Sequence, residues 1–337
     1  MKILSLFDGI SCGYIALERA GINVERYYAS EIKEDALKVS RNNYPDIIQL
    51  GDVKELLRKF TQLYYFGSEE SNIDLLIGGS PCQSFSNAGK KEGFDGKSGL
   101  FYDYIRILKE VKPKYFLLEN VKMKKEWEDI ITNILREIYP EVQVYNINSS
   151  LVSAQLRNRF YWTNIQGVTQ PIDKGIILQN ILEDGFTDRF KARAILESES
   201  RPLVNKNKML RRYLATGFTT IVDDSGETCL RVKEATKKGY TDIRKGEAVD
   251  FSYPTSSTRR GRRMADKVHT LMESPQQYLL FDGEDVRYFT QKELERLQTL
   301  PDGYTSCLTR NKAAGVIGDG WTVDVVAHIL SFIPKQN

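Results

Sequence analysis

The strongest constraint on this chain is a rhythm that runs through its first half and then stops. Short apolar runs alternate with amphipathic stretches: KILSLF (2–7), GYIALERAG (13–21), VERYYASEI (24–32), KEDALKVSRNN (33–43), IDLLIGG (73–79), GLFYDYIRILKEV (99–111), KYFLLEN (114–120), KKEWEDIITNILREI (124–138), VQVYNINS (142–149) and RFYWTNI (159–165). Strands separated by helices of about 10–15 residues are the pattern of βαβ crossovers, so an α/β fold with a mostly parallel, doubly wound sheet is expected. Ligands of such sheets sit at the carboxyl ends of the strands. The residues closing each strand therefore carry most of the functional information: Phe7-Asp8-Gly9, Glu31, Asp52, Ser80-Pro81-Cys82 and Glu119-Asn120.

Near residue 166 the alternation is lost. From there to 287 the text is rich in Gly, Thr, Ser, Arg and Lys, with short candidate strands in FTTIVDD, CLRVKEAT and VHTLME. Residues 189–267 hold 19 Lys and Arg against 10 Asp and Glu, a net of +9, which leaves −6 on the remainder of a chain whose total is +3. Residues 287–304 and 320–333 read as helices again. The predicted organisation is a first domain over 1–165, a smaller, mostly β or irregular domain over 166–287, and a segment over 288–337 that returns to the first.

Other classes are poorly supplied. Four Cys without a C-x-x-C pair, and His only at 269 and 328, argue against a disulfide framework, a zinc site and a Ser-His-Asp triad. No signal-peptide pattern opens the chain, and no run approaches the roughly 18 apolar residues of a membrane span. A cytoplasmic protein without metal or membrane association is expected.

Five strand ends supply chemistry. In LFDGISCG (6–13), small residues after the first strand let a ligand approach the backbone and the helix N-terminus, although tight strand–helix packing selects the same residues. Glu31, closing the second strand, can accept hydrogen bonds from two ribose hydroxyls, and Asp52 can take an adenine amino group; either carboxylate can equally cap a helix. In GGSPCQSFSNAG (78–89), Cys82 follows an apolar strand among residues that pack a hydrophobe poorly, which favours a reactive thiol over a buried one. Glu119 ends the next strand, and a carboxyl facing a thiolate there is pushed toward its protonated form by burial and by the like charge. In AQLRNRFYW (154–162), Gln155, Arg157 and Arg159 alternate, so an extended segment puts them on one face, either as a solvated surface or for recognition of a phosphate or base oxygen.

Together these residues resemble the DNA (cytosine-5) methyltransferase family over most of the chain. FDGISCG resembles its first cofactor motif, SPCQ its catalytic-cysteine motif, ENV (119–121) its glutamate motif, QLRNR its Q-x-R-x-R motif, and TQKELERLQTLPDGY and GDGWTVDVVAHI its last two helical motifs. The resemblance implies a Rossmann-like sheet binding S-adenosylmethionine, with a target-recognition domain between its two parts. It implies cofactor contacts at Phe7, Asp8, Gly9, Ile10, Glu31, Ile32, Asp52, Val53, Pro81, Leu100 and Trp321. The catalytic set would be Cys82, Glu119 and Arg159, with Arg157 nearer the backbone and Gln155 supporting the loop. Double-stranded DNA, bound by a monomer and with the target cytosine flipped out, would meet Gln83 and Ser84. Arg211, Arg212, Arg259 and Arg260 would read guanine or neutralise phosphate; those in TRRGRR (258–263) can equally organise their own domain. The loop 84–98 is a lid or a plain surface loop. A restriction endonuclease partner is compatible with the resemblance, and an RNA cytosine methyltransferase is the alternative activity, although the Cys-Phe-Thr motif of the transfer-RNA branch is absent.

One departure stands out. The last motif reads Gly318-Asp319-Gly320-Trp321 where many members have Gly-Asn-Ser-Val; its Trp and the FDG opening are more similar to animal de novo and certain phage or bacterial enzymes. Asp319 would repel the cofactor's carboxylate.

Overall fold

The computed structural model describes residues 1–56, 72–80, 99–183, 190–195, 221–223, 230–243, 247–250, 262–264, 278–281, 285–287 and 289–334. Its centre is a seven-stranded sheet built from β1 (Lys2–Leu6), β2 (Arg26–Ser30), β3 (Ile48–Gln49), β4 (Leu75–Gly79), β5 (Tyr115–Val121), β6 (Gln143–Asn148) and β8 (Asn158–Thr163), in the order β3-β2-β1-β4-β5-β8-β6. All pairings from β3 to β5 are parallel, while β8 runs antiparallel between β5 and β6. The strand order reverses at β1, whose neighbours are β2 and β4, so the crevice of a doubly wound sheet lies at the C-terminal ends of β1 and β4.

Parallel strands buried on both faces read as continuous apolar runs, because successive side chains enter opposite cores. Ile3, Leu75, Ile77 and Leu117 enter one cluster, and Leu4, Leu6, Leu76, Phe116 and Leu118 enter the other. The first face is covered by α1 (Cys12–Arg19), α2 (Glu34–Asn43), α6 (Arg310–Asp319) and α7 (Val323–Leu330); the second by α3 (Gly99–Val111) and α4 (Lys125–Arg136). The far end of the chain is thus part of the first core. Arg19 fastens it from outside, donating to Thr299 O and Asp324 Oδ1, each at 2.6 Å.

The stretch carrying α6 and α7, Arg310–Leu330, is long and apolar enough to cross a membrane, which the sequence reading had not anticipated; 72% of its most apolar window is buried inside the protein, as in a core helix. The helix predicted over 287–304 is shorter. It occupies α5 (Gln291–Leu297), opened by a Thr290–Glu293 capping box in which each side chain accepts the other residue's backbone N–H, at 3.2 and 2.8 Å. Beyond it the chain turns through Pro301-Asp302-Gly303.

The change of rhythm at 166 is not a change of core. Val168, Leu178, Ile181, Ala192 and Ile195 join the cluster of the first face, and β9 (Ala192–Arg193) pairs in parallel with the short β7 (Gln155–Leu156). Lys191 pins this segment: its ammonium donates to Ser150 O (2.7 Å), Ser153 O (3.0 Å) and Ile176 O (2.5 Å). Farther on, the described residues form only short antiparallel pairings: β10 (Ile221–Asp223) with β16 (Asp285–Arg287), β11 (Leu230–Lys233) with β12 (Tyr240–Ile243), and β13 (Glu247–Asp250) between β14 (Arg262–Met264) and β15 (Tyr278–Phe281).

Candidate active site

The β1–α1 turn is built from backbone conformations that side chains rarely adopt. Phe7, Gly9 and Ser11 have φ of 56°, 60° and 59°, a strained run of the kind that collects at ligand sites. Gly9 earns its identity here. A Cβ on it would meet nothing within 4 Å among the described residues, so bare backbone faces open space.

Glu31 organises the turn. Its Oε2 accepts Gly9 N (2.8 Å), and its Oε1 accepts Ile32 N (2.7 Å) and Lys33 N (2.8 Å). Beside it the Ile32 side chain is exposed. Asp8 points inward and accepts from Ser11 Oγ (2.6 Å) and Tyr27 Oη (2.7 Å). Burial pushes its carboxyl up to about 6, with the Glu31 charge adding to the rise and hydrogen bonds from Ser11, Ser5 and Tyr27 opposing it. Ile10 and Val53 bury their side chains in the two cores, whereas Phe7 and Leu100 are half-buried at the edge of the α3 face. Asp52 caps the helical turn Val53–Glu55 by accepting Lys54 N at 2.9 Å.

Trp321 comes from the far end of the chain and packs against the first core, beside Gly13 and Gly79. Asp319 is paired with Lys33 at 2.6 Å, on partly exposed side chains. The repulsion expected from that aspartate is therefore met by a cation of this same chain.

One strand farther along, Gly79 of β4 lies opposite Glu119 of β5. A Cβ on Gly79 would stand 2.8 Å from Glu119 Oε2 and 2.9 Å from Trp321 Nε1, so the absent side chain is what lets the two converge. Glu119 is buried, and its Oε1 lies 2.9 Å from Arg159 Nε, a pairing prepared by the register of β5 with β8. Asn120 donates to Ser80 Oγ (3.1 Å) and Ser80 O (3.4 Å), tying the end of β5 to the residue two before Cys82 in sequence. Neither Gly79 nor the tie to Ser80 was read from sequence, although a Gly-Gly pair ending a strand is a signal of close backbone approach.

The three alternating residues of QLRNR part company. Arg159 meets Glu119, whereas Gln155 and Arg157 are buried and bond inward to backbone and to Gln298. The sequence assigns both to the catalytic set; in the structure they hydrogen-bond to Leu297, Gln298, Ile195, Gly318 and Gly320. Pro81, Cys82, Gln83, Ser84, the loop 84–98, Arg211, Arg212, Arg259 and Arg260 lie outside the described residues. Of the described cysteines, Cys12 is buried, and burial pushes its thiol up to about 12, which disfavours the thiolate. Among the described residues no group of three His, Cys, Asp or Glu is placed to hold a metal.

A doubly wound sheet with this crevice and a mixed end at β5-β8-β6 defines an α/β fold of the S-adenosylmethionine-dependent methyltransferase type. Solved structures with the same fold include the Dnmt2 methyltransferase of S. pombe (TM-score 0.58, 16% identity, 98% of this chain and 97% of that one) and a putative DNA modification methyltransferase encoded within an E. coli prophage (TM-score 0.53, 16% identity, 99% and 98%). The chain belongs to the C-5 cytosine-specific DNA methylase family, which matches residues 1–335. It is 33% identical over 214 residues to the orphan methyltransferase M.SPRI of Bacillus phage SPR, covering 60% of this chain and 44% of that protein. It is 32% identical over 238 residues to the type II methyltransferase M.NgoBV of Neisseria gonorrhoeae, covering 63% and 51%. The matched region spans about half or less of the length of these curated relatives.

Proposed function

We propose that this protein methylates C5 of cytosine in double-stranded DNA, with S-adenosylmethionine as methyl donor and Cys82 as nucleophile. The observation that carries the reading is the pairing of the buried Glu119 with the half-buried Arg159 at the C-terminal edge of β5, beside the strand that leads to Cys82. The crevice residues suit the cofactor. The half-buried Gly9, the Glu31 carboxylate, the exposed Ile32 and the Trp321 ring offer a polar edge and two apolar walls. When bound, S-adenosylmethionine supplies an electrophilic methyl group.

Cytosine C5 is too weak a nucleophile to accept that group unaided. The Cys82 thiolate adds to C6, and the electron pair released into the ring makes C5 an enamine carbon. Glu119 hydrogen-bonds N3 and the exocyclic amine, and Arg159 holds the O2 side, so both stabilise the charge that develops on the ring. After methylation, loss of the C5 proton to a base and expulsion of Cys82 restore the aromatic product and the free thiolate. A stacked base cannot be reached in this way, so the target is flipped out of the duplex. The basic segment 189–267 carries the attraction to DNA, and Arg211, Arg212, Arg259 and Arg260 are its candidate contacts. The catalytic body runs over 1–195 and 289–334, with target recognition between them. Phage and bacterial relatives support a bacterial or phage-infected cytoplasm as its setting.

Tritium from labelled S-adenosylmethionine should enter duplex DNA with the wild-type chain and not with Cys82→Ser. Incorporation that survives this substitution, or that occurs only in RNA, would refute the assignment.

A further inference from the structure

Arg157 is buried, and its guanidinium reaches into the end of the chain. Nη2 donates to Gly320 O at 2.9 Å, and Nη1 donates to Gly318 O at 3.2 Å and to Ile195 O at 3.5 Å. Gly318 and Gly320 sit at the end of α6, where helix carbonyls lack intrahelical partners and a cation is favoured by the helix dipole.

Gln298 closes the same turn from another element. Fully buried, its Nε2 donates to Ile317 O (3.0 Å) and Gly320 O (3.1 Å), while its Oε1 accepts from Thr322 Oγ1 (2.7 Å) and Gln155 Nε2 (3.2 Å). Gly320 O thus takes two donors, and the residues on both sides of Trp321 are fixed. Trp321 itself stands between Gly13 and Gly79, at the crevice.

We propose that Arg157 and Gln298 are positioning residues for the cofactor, acting through Trp321, and that Arg157 is not a DNA contact. The inference rests on the function proposed above. A guanidinium fork sets both distance and angle for two carbonyls, whereas an ammonium is a point donor that cannot hold both in that geometry. Loss of the fork lets the Gly320–Trp321 turn drift, and with it one wall of the cofactor site.

The test uses the full chain, with cofactor affinity read by calorimetry and KM for S-adenosylmethionine, KM for DNA and kcat read by methyl transfer. Arg157→Lys is expected to weaken cofactor binding about tenfold while KM for DNA stays within about twofold. Gln298→Met, of similar volume, should act in the same direction. A cycle with Trp321→Phe keeps the test independent of global stability, because Arg157→Lys should cost little more once the indole is gone. Fully additive losses, or a variant that raises KM for DNA and leaves cofactor affinity intact, would overturn the inference alone. Failure of the wild-type chain to bind S-adenosylmethionine would overturn the functional reading and the inference with it.

Discussion

A methyl group placed on Gly79 enters the gap between Trp321, the proposed cofactor wall, and Glu119, the proposed catalytic carboxylate. In Gly79→Ala the new Cβ would stand 2.8 Å from Glu119 Oε2 and 2.9 Å from Trp321 Nε1. Ordinary contact begins at 3.4 Å. The carboxylate must therefore retreat by about 0.6 Å and the indole by about 0.5 Å, or share the movement with the backbone. Glu119 is not free to swing, because its other oxygen is held 2.9 Å from Arg159 Nε. Catalytic groups tolerate displacements of about 0.5 Å, and about 1 Å costs on the order of 100-fold. The expected result is a kcat about 10- to 100-fold lower, with the overpacking taking roughly 1–3 kcal/mol from stability. Methyl transfer under saturating DNA and cofactor measures the first, and denaturant unfolding the second. Activity within about twofold of wild type, with the Glu119–Arg159 pair unmoved in a crystal structure, would refute the argument that this glycine sets the geometry of both sites.

Three further outcomes follow from particular contacts. Asp8 has its folded-state value raised from 3.8 to about 6, so between those values the native state holds a proton that the unfolded chain has released. Its contribution to stability accordingly falls as pH rises from about 4 to 6, by about 2 to 3 kcal/mol in total; unfolding of Asp8→Asn against pH should lack this component, and an unchanged profile would sink the assignment. Thr290→Ala removes one half of the capping box of α5 and should cost about 1 kcal/mol in urea unfolding, against no measurable change if the cap is idle. Breaking the Lys33–Asp319 pair with Asp319→Asn should cost less than about 1 kcal/mol, because both side chains are partly exposed; if the pair offsets repulsion at the cofactor's carboxylate, Lys33→Ala should weaken cofactor affinity while Asp319→Asn does not.

Period carried most of the catalytic body. The run 99–111 coincides with α3, and 73–79 and 114–120 with β4 and β5, because apolar runs bounded by Gly, Pro and charge leave few other foldings. The helix α6 escaped notice: RNKAAGVIGD buries small residues such as Ala313 and Ala314 and carries two glycines, so it shows no apolar stripe. At 287–304 the pattern overran the helix, since the apolar residues after Leu297 serve the core from a turn.

The site divides along the same physical line. Side-chain chemistry was legible, and the Glu119–Arg159 pair joins two residues singled out by type and position. Backbone partners were not. Arg157 satisfies carbonyls 161 and 163 positions away, and no residue type at those positions advertises a free C=O. Its alternation with Arg159 suggested a common face, yet β7 and β8 are separate strands with different partners. The convergence at Gly79 depends on register between strands, which one sequence does not disclose.

Under the proposed function, Cys82 attacks a cytosine held by Glu119 and Arg159. Incubation of the chain with S-adenosylmethionine and duplex DNA carrying 5-fluorocytosine tests it most directly, because fluorine at C5 cannot leave as a proton and the adduct is trapped after methyl transfer. The expected result is a denaturation-resistant complex whose peptide map places the nucleotide on Cys82, lost in Cys82→Ser and slowed in Glu119→Gln. No adduct on a DNA that the chain methylates, or an adduct on Cys307, would contradict it.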